Sequence, residues 1–569
     1  MSISKFLSRI LPILLIGFLI YSCGIHFNVQ NPRHEGKYPK FSQETCVLGA
    51  NTLIRKNFDV NYYNIDVTLD YHTKTIGGWV EIKATALNDI DSVQLDLDQP
   101  FAIEELKLGS RNGQTLNYTR NFRAILIKLP SKMKKDEIFS IYIKYSGKPI
   151  EAKKAPWAGG VVWKKDKLKN PWAGVACETD GASVWLPCKD HTSDEPDSVD
   201  IRFTIPDTTL SVISNGQFKG VEKSDKSSTF KWKVTYPINV YNISFYVGNF
   251  VKISDSYTGI SGKKLDISYY ALKQNENKAR NHFPQVKRHI KTYEEIYGEY
   301  SWYNDGFKLI ESPYAGMEHQ TAIAYGNGYK NDKRINEDYI ILHETGHEWF
   351  GNAITAADLA DVWLQEGITT YGEYLYLQKV YDERVAFTHL FIYRLMIKNK
   401  LPLVGPVDKR YFDYHDGDVY FKGAWVLHSL RNTIGNDSIF FTIMRTFYAE
   451  NKLKVTNSKT FIETVNRITG KDYNWFFTPY LYSSKVPVFQ YVTDKEGNIY
   501  YKWSEVNDDF NQIKVPVILG GGSNHKIELI PSTKLQVYKT EIMGEKPLNI
   551  SVDNSKVLFA IEKVKKLNK

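Results

Sequence analysis

The feature that most constrains this chain is the run NEDYIILHETGHEWFGN, from Asn336 to Asn352, in which His343, Glu344 and His347 form an H-E-x-x-H. Residues four apart lie on the same face of an α-helix, so in a helix both imidazoles would reach one ion with Glu344 beside it. The run therefore predicts a helix that the rest of the fold must bury and complete with further ligands.

The flanking residues predict where this helix begins and ends. Asn336 precedes the acidic pair Glu337 and Asp338, which suits a cap and a first turn, because negative charge complements the helix dipole there. Gly351 suits a helix end. We therefore expect the helix to begin just after Asn336 and to end near Gly351.

A third candidate ligand is Glu366, which lies nineteen positions beyond His347 in DVWLQEGITTYGEY. It falls on a second helix, predicted from Asp358 to Tyr381. Two neutral imidazoles and one carboxylate leave one position of a tetrahedral zinc open for water. The ion would activate that water, and Glu344 is placed to take its proton. The set predicts one Zn²⁺ per chain and hydrolytic chemistry, with amide bonds as the natural substrate.

Two other interpretations of the motif remain open at this point. The histidines could be an ordinary pair on an amphipathic helix, but Ile340, Ile341 and Leu342 predict a buried helix, where unpaired His and Glu side chains are costly. The zinc could be purely structural, although structural sites usually close with four protein ligands and are often rich in cysteine.

The pattern of apolar residues divides the chain into regions. Short alternating runs rich in Val, Ile, Tyr and Phe predict antiparallel sheet from about Phe58 to Phe250. Helical periodicity then dominates to about Ser483, and strand patterns return at Val486. The predicted fold is multidomain α+β, with an N-terminal β domain at 51–250, a mostly helical domain at 251–485 and a small, separate β module at 486–569.

The first residues have the layout of an export signal. Lys5 and Arg9 precede an apolar run from Ile10 to Ile20, which is too short for a comfortable transmembrane helix. The segment ending at Cys23 resembles the cleavage box of bacterial lipoproteins, so residues 1–23 are predicted to be a lipoprotein signal peptide and residues 24–50 a tether. An ordinary signal peptide or a signal anchor is the alternative. We expect an exported protein, anchored to a membrane of a bacterial cell envelope through a lipid on Cys23.

Charge and cysteine usage add weaker constraints. The net charge of +9 over 569 residues is mild and the lysines are scattered, so we expect no nucleic-acid partner. Export permits a disulfide between Cys177 and Cys188, but free thiols are equally compatible with the sequence, and Cys46 leaves an odd number.

Three ordered motifs resemble one family of enzymes. They are the H-E-x-x-H followed by Glu366, the segment Ala315-Gly316-Met317-Glu318-His319 with Tyr325 beyond it, and the segment Tyr420-Phe421-Lys422-Gly423-Ala424. Together they resemble the gluzincin aminopeptidases related to aminopeptidase N and leukotriene hydrolase, over roughly residues 58–487. The resemblance implies a thermolysin-like helical domain that carries the zinc.

The resemblance also implies roles for individual residues. Glu318, on a loop with Gly316 and Met317, would hold the free amino group of a peptide, and Glu178 would be a second contact to that amine. Tyr420 would donate its phenol hydrogen to the oxyanion, although Tyr411 and Tyr414 lie close in sequence. A carboxylate in a partly desolvated pocket pairs well with an ammonium, so the physics is consistent with these roles.

The motifs also depart from the family pattern, at Ala315, His319, Gln365 and Glu348. The resemblance further leads us to expect a form without the long helical C-terminal domain of many relatives, and hence a more open site that admits larger peptides. The predicted function is a zinc aminopeptidase acting on peptides with a free N-terminus. The alternatives are a zinc endopeptidase or other small-substrate hydrolase, and a non-catalytic peptide-binding surface lipoprotein.

Overall fold

A computed structural model describes residues 36–411, 416–520, 525–540 and 549–567. The predicted signal peptide, its Cys23 and residues 24–35 of the predicted tether lie outside these ranges. Within them, every helix is too short or too polar to cross a membrane.

Alternating burial builds the N-terminal domain. In the first strand Val60, Tyr63, Ile65, Val67 and Leu69 are buried while residues between them are more exposed, as in a sheet with one face on the core. The strands are β1 Phe58–Asp70, β2 Thr75–Ala86, β3 Ile90–Asp96, β4 Phe101–Leu108, β5 Gln114–Thr115, β6 Asn117–Asn121, β7 Ala124–Met133, β8 Ile138–Gly147, β9 Gly160–Lys165, β10 Pro171–Ala176, β11 Ser198–Ile205, β12 Ser211–Ser214, β13 Gln217–Lys223, β14 Ser228–Val234 and β15 Phe245–Gly248.

Three sheets form among these described strands. The largest has the order β13-β14-β11-β1-β2-β8-β4-β5, the second β12-β15-β10-β9 and the third β3-β7-β6. The pairing is antiparallel as predicted except between β1 and β11, which run parallel with Tyr62 opposite Ser198. The long stretch of chain between these two strands allows the crossover that a parallel pair needs.

The end of the predicted tether is folded, which corrects our expectation of irregular structure up to residue 50. A helix spans Gln43–Gly49, because the Ser42 side chain caps it by accepting from the Thr45 N–H at 3.0 Å. A short helix, Leu53–Lys56, follows, and its buried Arg55 forms a bidentate pair with Asp96 at 2.9 Å. These contacts fix this segment to the N-terminal domain.

The helical domain begins with a sheet of its own. Its order is β16-β17-β18-β20-β19, from the strands β16 Phe250–Thr258, β17 Lys264–Leu272, β18 Phe307–Glu311, β19 Gly316–Met317 and β20 Ile323–Tyr325. β19 is its edge strand and pairs antiparallel to β20, with Gly316 opposite Tyr325. A two-stranded sheet, β21 Ile354–Ala356 and β22 Lys454–Thr456, lies farther along the chain.

Helices make up most of the rest of this domain. The α-helices span Glu276–His282, Val286–Tyr297, Tyr339–Gly346, Trp363–Val380, Glu383–Met396, Asp418–Ile434, Asp437–Asn451, Ser458–Thr469 and Asn474–Leu481. Short 3₁₀ helices in the described chain span Ala182–Val184, Val240–Asn242, Lys273–Asn275, Phe283–Gln285 and Leu359–Asp361.

The H-E-x-x-H helix is shorter than predicted at both ends. It runs from Tyr339 to Gly346, and its cap is Asp338, whose side chain accepts from the Ile340 N–H at 3.1 Å, rather than Asn336. Glu337 precedes the helix rather than lying in its first turn, and its buried carboxylate is held by His289 at 3.2 Å and Tyr376 at 2.8 Å.

The C-terminal strands dock on the helical domain. They are β23 Val488–Thr493, β24 Ile499–Ser504, β25 Val515–Gly520, β26 His525–Leu529, β27 Gln536–Tyr538, β28 Asn549–Val552 and β29 Ala560–Lys563, in the sheets β27-β24-β23-β29 and β26-β25-β28. Their apolar residues share one hydrophobic core with the helices, and the Tyr480 hydroxyl donates to the Leu558 carbonyl at 2.6 Å. The module is therefore a docked layer rather than the separate unit that we expected.

Candidate metal centre and active site

The H-E-x-x-H helix and the helix Trp363–Val380 bring three metal-binding side chains together. His343 and His347 have their Nε2 atoms 3.0 Å apart, although His347 is already the C-terminal cap residue of its helix. The Glu366 Oε2 lies 3.4 Å from the His343 Nε2 and 3.3 Å from the His347 Nε2. The structure therefore brings the three predicted ligands together around one point.

The donor set fits zinc. The Glu366 Oε2 is buried and has no hydrogen bond among the described residues, so it is available to coordinate an ion shared with the two Nε2 atoms. Ligand atoms separated by 3.0 to 3.4 Å agree with bonds of about 2.0 to 2.2 Å from two imidazoles and a carboxylate to one ion. The three residues form the one cluster of this kind within the part of the chain that the structure describes.

Both imidazoles are oriented through their second nitrogen. The His343 Nδ1 lies 2.7 Å from Glu373, and the His347 Nδ1 lies 2.9 Å from the Phe350 carbonyl. Because these partners accept a hydrogen bond from Nδ1–H, they direct each Nε2 toward the ion. Burial would raise the pKa of Glu373, but hydrogen bonds from His343 and His389 outweigh it and hold the pKa at about 2.

Our sequence analysis missed Glu373 and its two supporting residues. Glu373 also accepts from His389 and from the Tyr393 hydroxyl, each at 2.7 Å, so the carboxylate is fully occupied. Its position seven residues after Glu366 places it two turns along the same helix face, which was the available signal. His389 and Tyr393 lie on a third helix, Glu383–Met396, so their contacts with Glu373 depend on how that helix packs. The local sequence gives no signal for these contacts.

Glu344 lies against the strand β19. A Cβ built on Gly316 would overlap the carboxylate of Glu344, so the strand reaches this position only because residue 316 has no side chain. Burial raises the pKa of Glu344 above its usual range. The structure thus gives Gly316 a definite role, which is to leave room for the Glu344 carboxylate.

Two more carboxylates line the same cavity. Glu318 is buried, and its side chain accepts from the Tyr241 hydroxyl at 3.2 Å while its backbone carbonyl accepts from Asn352 at 2.8 Å. Glu178 keeps a buried Oε1 that no donor in the described chain contacts. Burial, followed by the charge of Glu318, raises the pKa of Glu178 well above its usual range. Tyr241 and Asn352 were not predicted.

Tyr420 is brought to the metal ligands by a close contact between helices. The Tyr420 ring centroid lies 6.0 Å from that of His343, and its phenol interacts with the Glu366 carboxylate. The helices approach so closely that a Cβ on Gly423 would lie 2.8 Å from the Gly367 Cα. The alternative Tyr411 packs instead against Tyr38 and Phe41, and Tyr414 lies outside the described residues.

The cavity around these groups has a volume of about 860 Å³. Its described wall contains all nine side chains or backbone positions that we singled out: Glu178, Gly316, Met317, Glu318, His343, Glu344, His347, Glu366 and Tyr420. Apolar groups, including Met317, Ile340 and Phe421, cover other parts of the wall. An extended peptide end fits a space of this size and composition.

Most departures from the family pattern have structural partners. His319 is buried and its Nδ1 lies 2.5 Å from the Tyr246 hydroxyl. Gln365 accepts from the Ala356 N–H at 2.9 Å, and Glu348 accepts from the Thr321 N–H at 2.8 Å.

Cys46, Cys177 and Cys188 are free thiols, so the alternative without a disulfide is the one the structure shows.

Two family models match the chain. The model described as the Peptidase M1 N-terminal domain matches residues 59–241, and the model described as the Peptidase family M1 domain matches residues 283–480. Together they cover well over half of the chain, and the second contains the complete His₂Glu set. The chain belongs to peptidase family M1, which confirms the resemblance and the predicted fold class.

Curated relatives carry aminopeptidase names. "Probable aminopeptidase 1" of Sulfurisphaera tokodaii is 23% identical over 402 residues, which are 66% of this chain and 47% of the relative. "Leucine aminopeptidase 2" of Candida glabrata is 23% identical over 514 residues, covering 82% of this chain and 72% of the relative. The chain thus spans about half the length of the first of these proteins.

Solved structures share the fold. The M1 zinc metallopeptidase from Deinococcus radiodurans superposes with a TM-score of 0.63 at 19% identity, over 77% of this chain and 97% of its own. A variant of that protein bound to a Tyr-Ser-Ala substrate gives the same TM-score of 0.63, over 76% of this chain and 95% of its own.

Replacing Gly316 with Ala should displace the Glu344 carboxylate, because the new methyl group would occupy its place. We expect kcat/KM to fall by about 100-fold or more, since small misplacements of a reacting group cost this much. Bound zinc, measured by metal analysis, should stay at the wild-type level. Gly405→Ala is a matched control, because its Cβ would lie no closer than 3.5 Å to another residue. Full activity of the Gly316→Ala variant would contradict this role.

Proposed function

We propose that this protein is a zinc-dependent aminopeptidase, which removes N-terminal residues from peptides. The observation that carries the proposal is the pair of carboxylates, Glu178 and Glu318, in the cavity that also contains the His₂Glu set. A buried carboxylate oxygen without a donor, such as the Glu178 Oε1, is suited to the ammonium of a free N-terminus. Two such groups would fix how far a peptide enters.

The geometry of the site supports the roles that we propose for the metal ligands and the general base. His343, His347 and Glu366 would hold the zinc, whose chemistry when bound is to lower the pKa of a water and to polarise a carbonyl. Glu344, placed against Gly316 in the same cavity, would accept the proton of the attacking water at its carboxylate and deliver it to the leaving amine.

Tyr420 would stabilise the oxyanion that forms when water adds to the peptide carbonyl. Its phenol keeps its proton, because burial and the nearby Glu366 raise the pKa of Tyr420 well above its usual value. A phenol that stays protonated donates a hydrogen bond throughout the reaction. The contact between Gly423 and Gly367 holds this donor beside the metal ligands.

The aminopeptidase proposal is tested by blocking the substrate amine. The wild-type enzyme should cleave a free peptide at least about 100-fold faster than its N-acetylated form, because acetylation removes a charge-assisted bond to buried carboxylates. Glu318→Gln should lower kcat/KM for the free peptide by a similar factor and shrink that preference. Glu222→Gln, on an exposed carboxylate with 69% of its side chain accessible, is the matched control.

The same assay has an outcome that overturns the proposal. Equal cleavage of free and acetylated peptides would remove the amine-binding role of Glu318 and favour an endopeptidase. No hydrolysis of any peptide by the zinc-loaded protein would favour the non-catalytic, peptide-binding alternative.

We further propose that the protein is exported and anchored through Cys23 to a membrane of a bacterial cell envelope. The support is the cationic start with Lys5 and Arg9, the short apolar run and the cysteine that ends it. In a bacterial host, the wild-type chain should sediment with membranes and carry added fatty-acyl mass. Cys23→Ser should lose that mass, whereas the control Cys46→Ser should keep it. A Cys23→Ser chain with unchanged acylation would contradict the anchor.

A further inference from the structure

A tight turn at residues 154–158 forms part of the wall of the active-site cavity. The Lys154 N–H donates to the Ala158 carbonyl at 3.2 Å, and the Ala158 N–H donates to the Lys154 carbonyl at 2.9 Å. Trp157 stands at the tip with 40% of its surface exposed. The Lys154 ammonium lies 5.3 Å from the centroid of the Trp157 ring, which restricts where this long side chain points.

The turn is fixed to the strand that leads to Glu178. β9 and β10 pair antiparallel, with Gly160 opposite Ala176, so residues just before Gly160 and just after Ala176 lie at the same end of the pair. The Gly159 N–H also donates to Asp180 at 2.6 Å. Lys154 and Glu178 therefore lie at the same end of one strand pair, and both line the cavity.

The charged side chains of the cavity wall differ in their exposure to solvent. The carboxylates Glu318, Glu344 and Glu366 are buried. The basic side chains of the described wall are Lys154, which is exposed, and Lys398, which is half-buried on the opposite domain. Within the described residues, no carboxylate forms an ion pair with Lys154. Buried carboxylates and an exposed lysine therefore line the same cavity.

We propose that Lys154 binds the C-terminal carboxylate of short peptides whose amino group is held in the cavity by Glu178 and Glu318. The inference rests on the aminopeptidase function proposed above and narrows its substrate class to peptides of about three residues with a free carboxylate. An extended tripeptide is about 10 Å long, and Lys154, Glu178 and Glu318 line one cavity of about 860 Å³. A longer peptide places its carboxylate beyond Lys154.

This substrate class is narrower than the expectation of an open site that admits larger peptides. An open mouth admits larger peptides, but it gives no binding energy to their distant carboxylate. The Lys154 ammonium would instead stabilise a bound peptide whose carboxylate lies beside it. Selectivity for short substrates would then come from one ion pair rather than from steric exclusion.

The test compares Leu-Ala-Ala with Leu-Ala-Ala amide, which differ only in the charge of the C-terminus. The wild-type enzyme should favour the acid by roughly fivefold in kcat/KM, which is the size expected for a partly exposed ion pair. High salt should reduce this preference because it screens exposed charges. Lys154→Met should bring the ratio of acid to amide close to one, and Lys154→Glu should reverse it.

Two further variants make the assignment specific. Lys153→Met removes the neighbouring exposed lysine, which is not part of the described cavity wall, and should keep the wild-type ratio. Lys398→Met should keep a preference for the acid. If Lys398→Met alone abolishes the preference, or if Lys154→Met retains it, the proposal is wrong.

A neutral substrate separates this proposal from the one on which it rests. A leucyl arylamide has a free amine but no carboxylate, so the wild-type enzyme should hydrolyse it whatever the role of Lys154. Hydrolysis of the arylamide with equal rates for the acid and amide tripeptides would overturn the Lys154 proposal and leave the aminopeptidase intact. Failure to hydrolyse the arylamide and both tripeptides would overturn the aminopeptidase function itself.

Discussion

The structure depends on a concentration of buried carboxylates around one cavity. Glu178, Glu318, Glu344 and Glu366 line it beside two imidazoles, and Glu373, whose own partners are complete, orients one of them. Like charges in a low-dielectric site repel strongly, and an unpaired buried carboxylate is costly. A divalent cation on the His₂Glu set would resolve part of this cost, and in the proposed function a substrate ammonium between Glu178 and Glu318 would resolve another part. Zinc binding and substrate binding would then be coupled electrostatically.

Glycine residues, which have no side chain, allow these charged groups to lie close together. Gly316 leaves space for the Glu344 carboxylate, and Gly367 meets Gly423 where the two helices cross. The second contact explains why Tyr420, one turn before Gly423, lies near Glu366. Both contacts place backbone where any Cβ would intrude, so the geometry of the site is set by packing as much as by the ligands themselves.

The sequence predicted the parts of the site that follow from local periodicity. The four-residue spacing of His343 and His347 and the second helix carrying Glu366 led us to predict this ligand set, and the structure brings the three side chains together. We predicted the helix cap at Asn336, whereas the structure has it at Asp338. The prediction failed because Glu337 is held by His289, which lies far away in sequence. Glu373 shares a helix face with Glu366, but its bond to His343 depends on how two helices pack. The docking of the C-terminal strands and the Arg55–Asp96 pair also depend on long-range contacts, which no local pattern encodes.

The most direct test of the central claim is a zinc titration of the metal-depleted enzyme, with hydrolysis of an aminoacyl arylamide measured at each step. Wild-type activity should rise linearly and reach its maximum at one equivalent of zinc per chain. Glu344→Gln should bind the same equivalent, by metal analysis, and show no turnover, because the ligands remain while the proton acceptor is lost. Activity without zinc, or full activity of the zinc-loaded Glu344→Gln variant, would contradict the account.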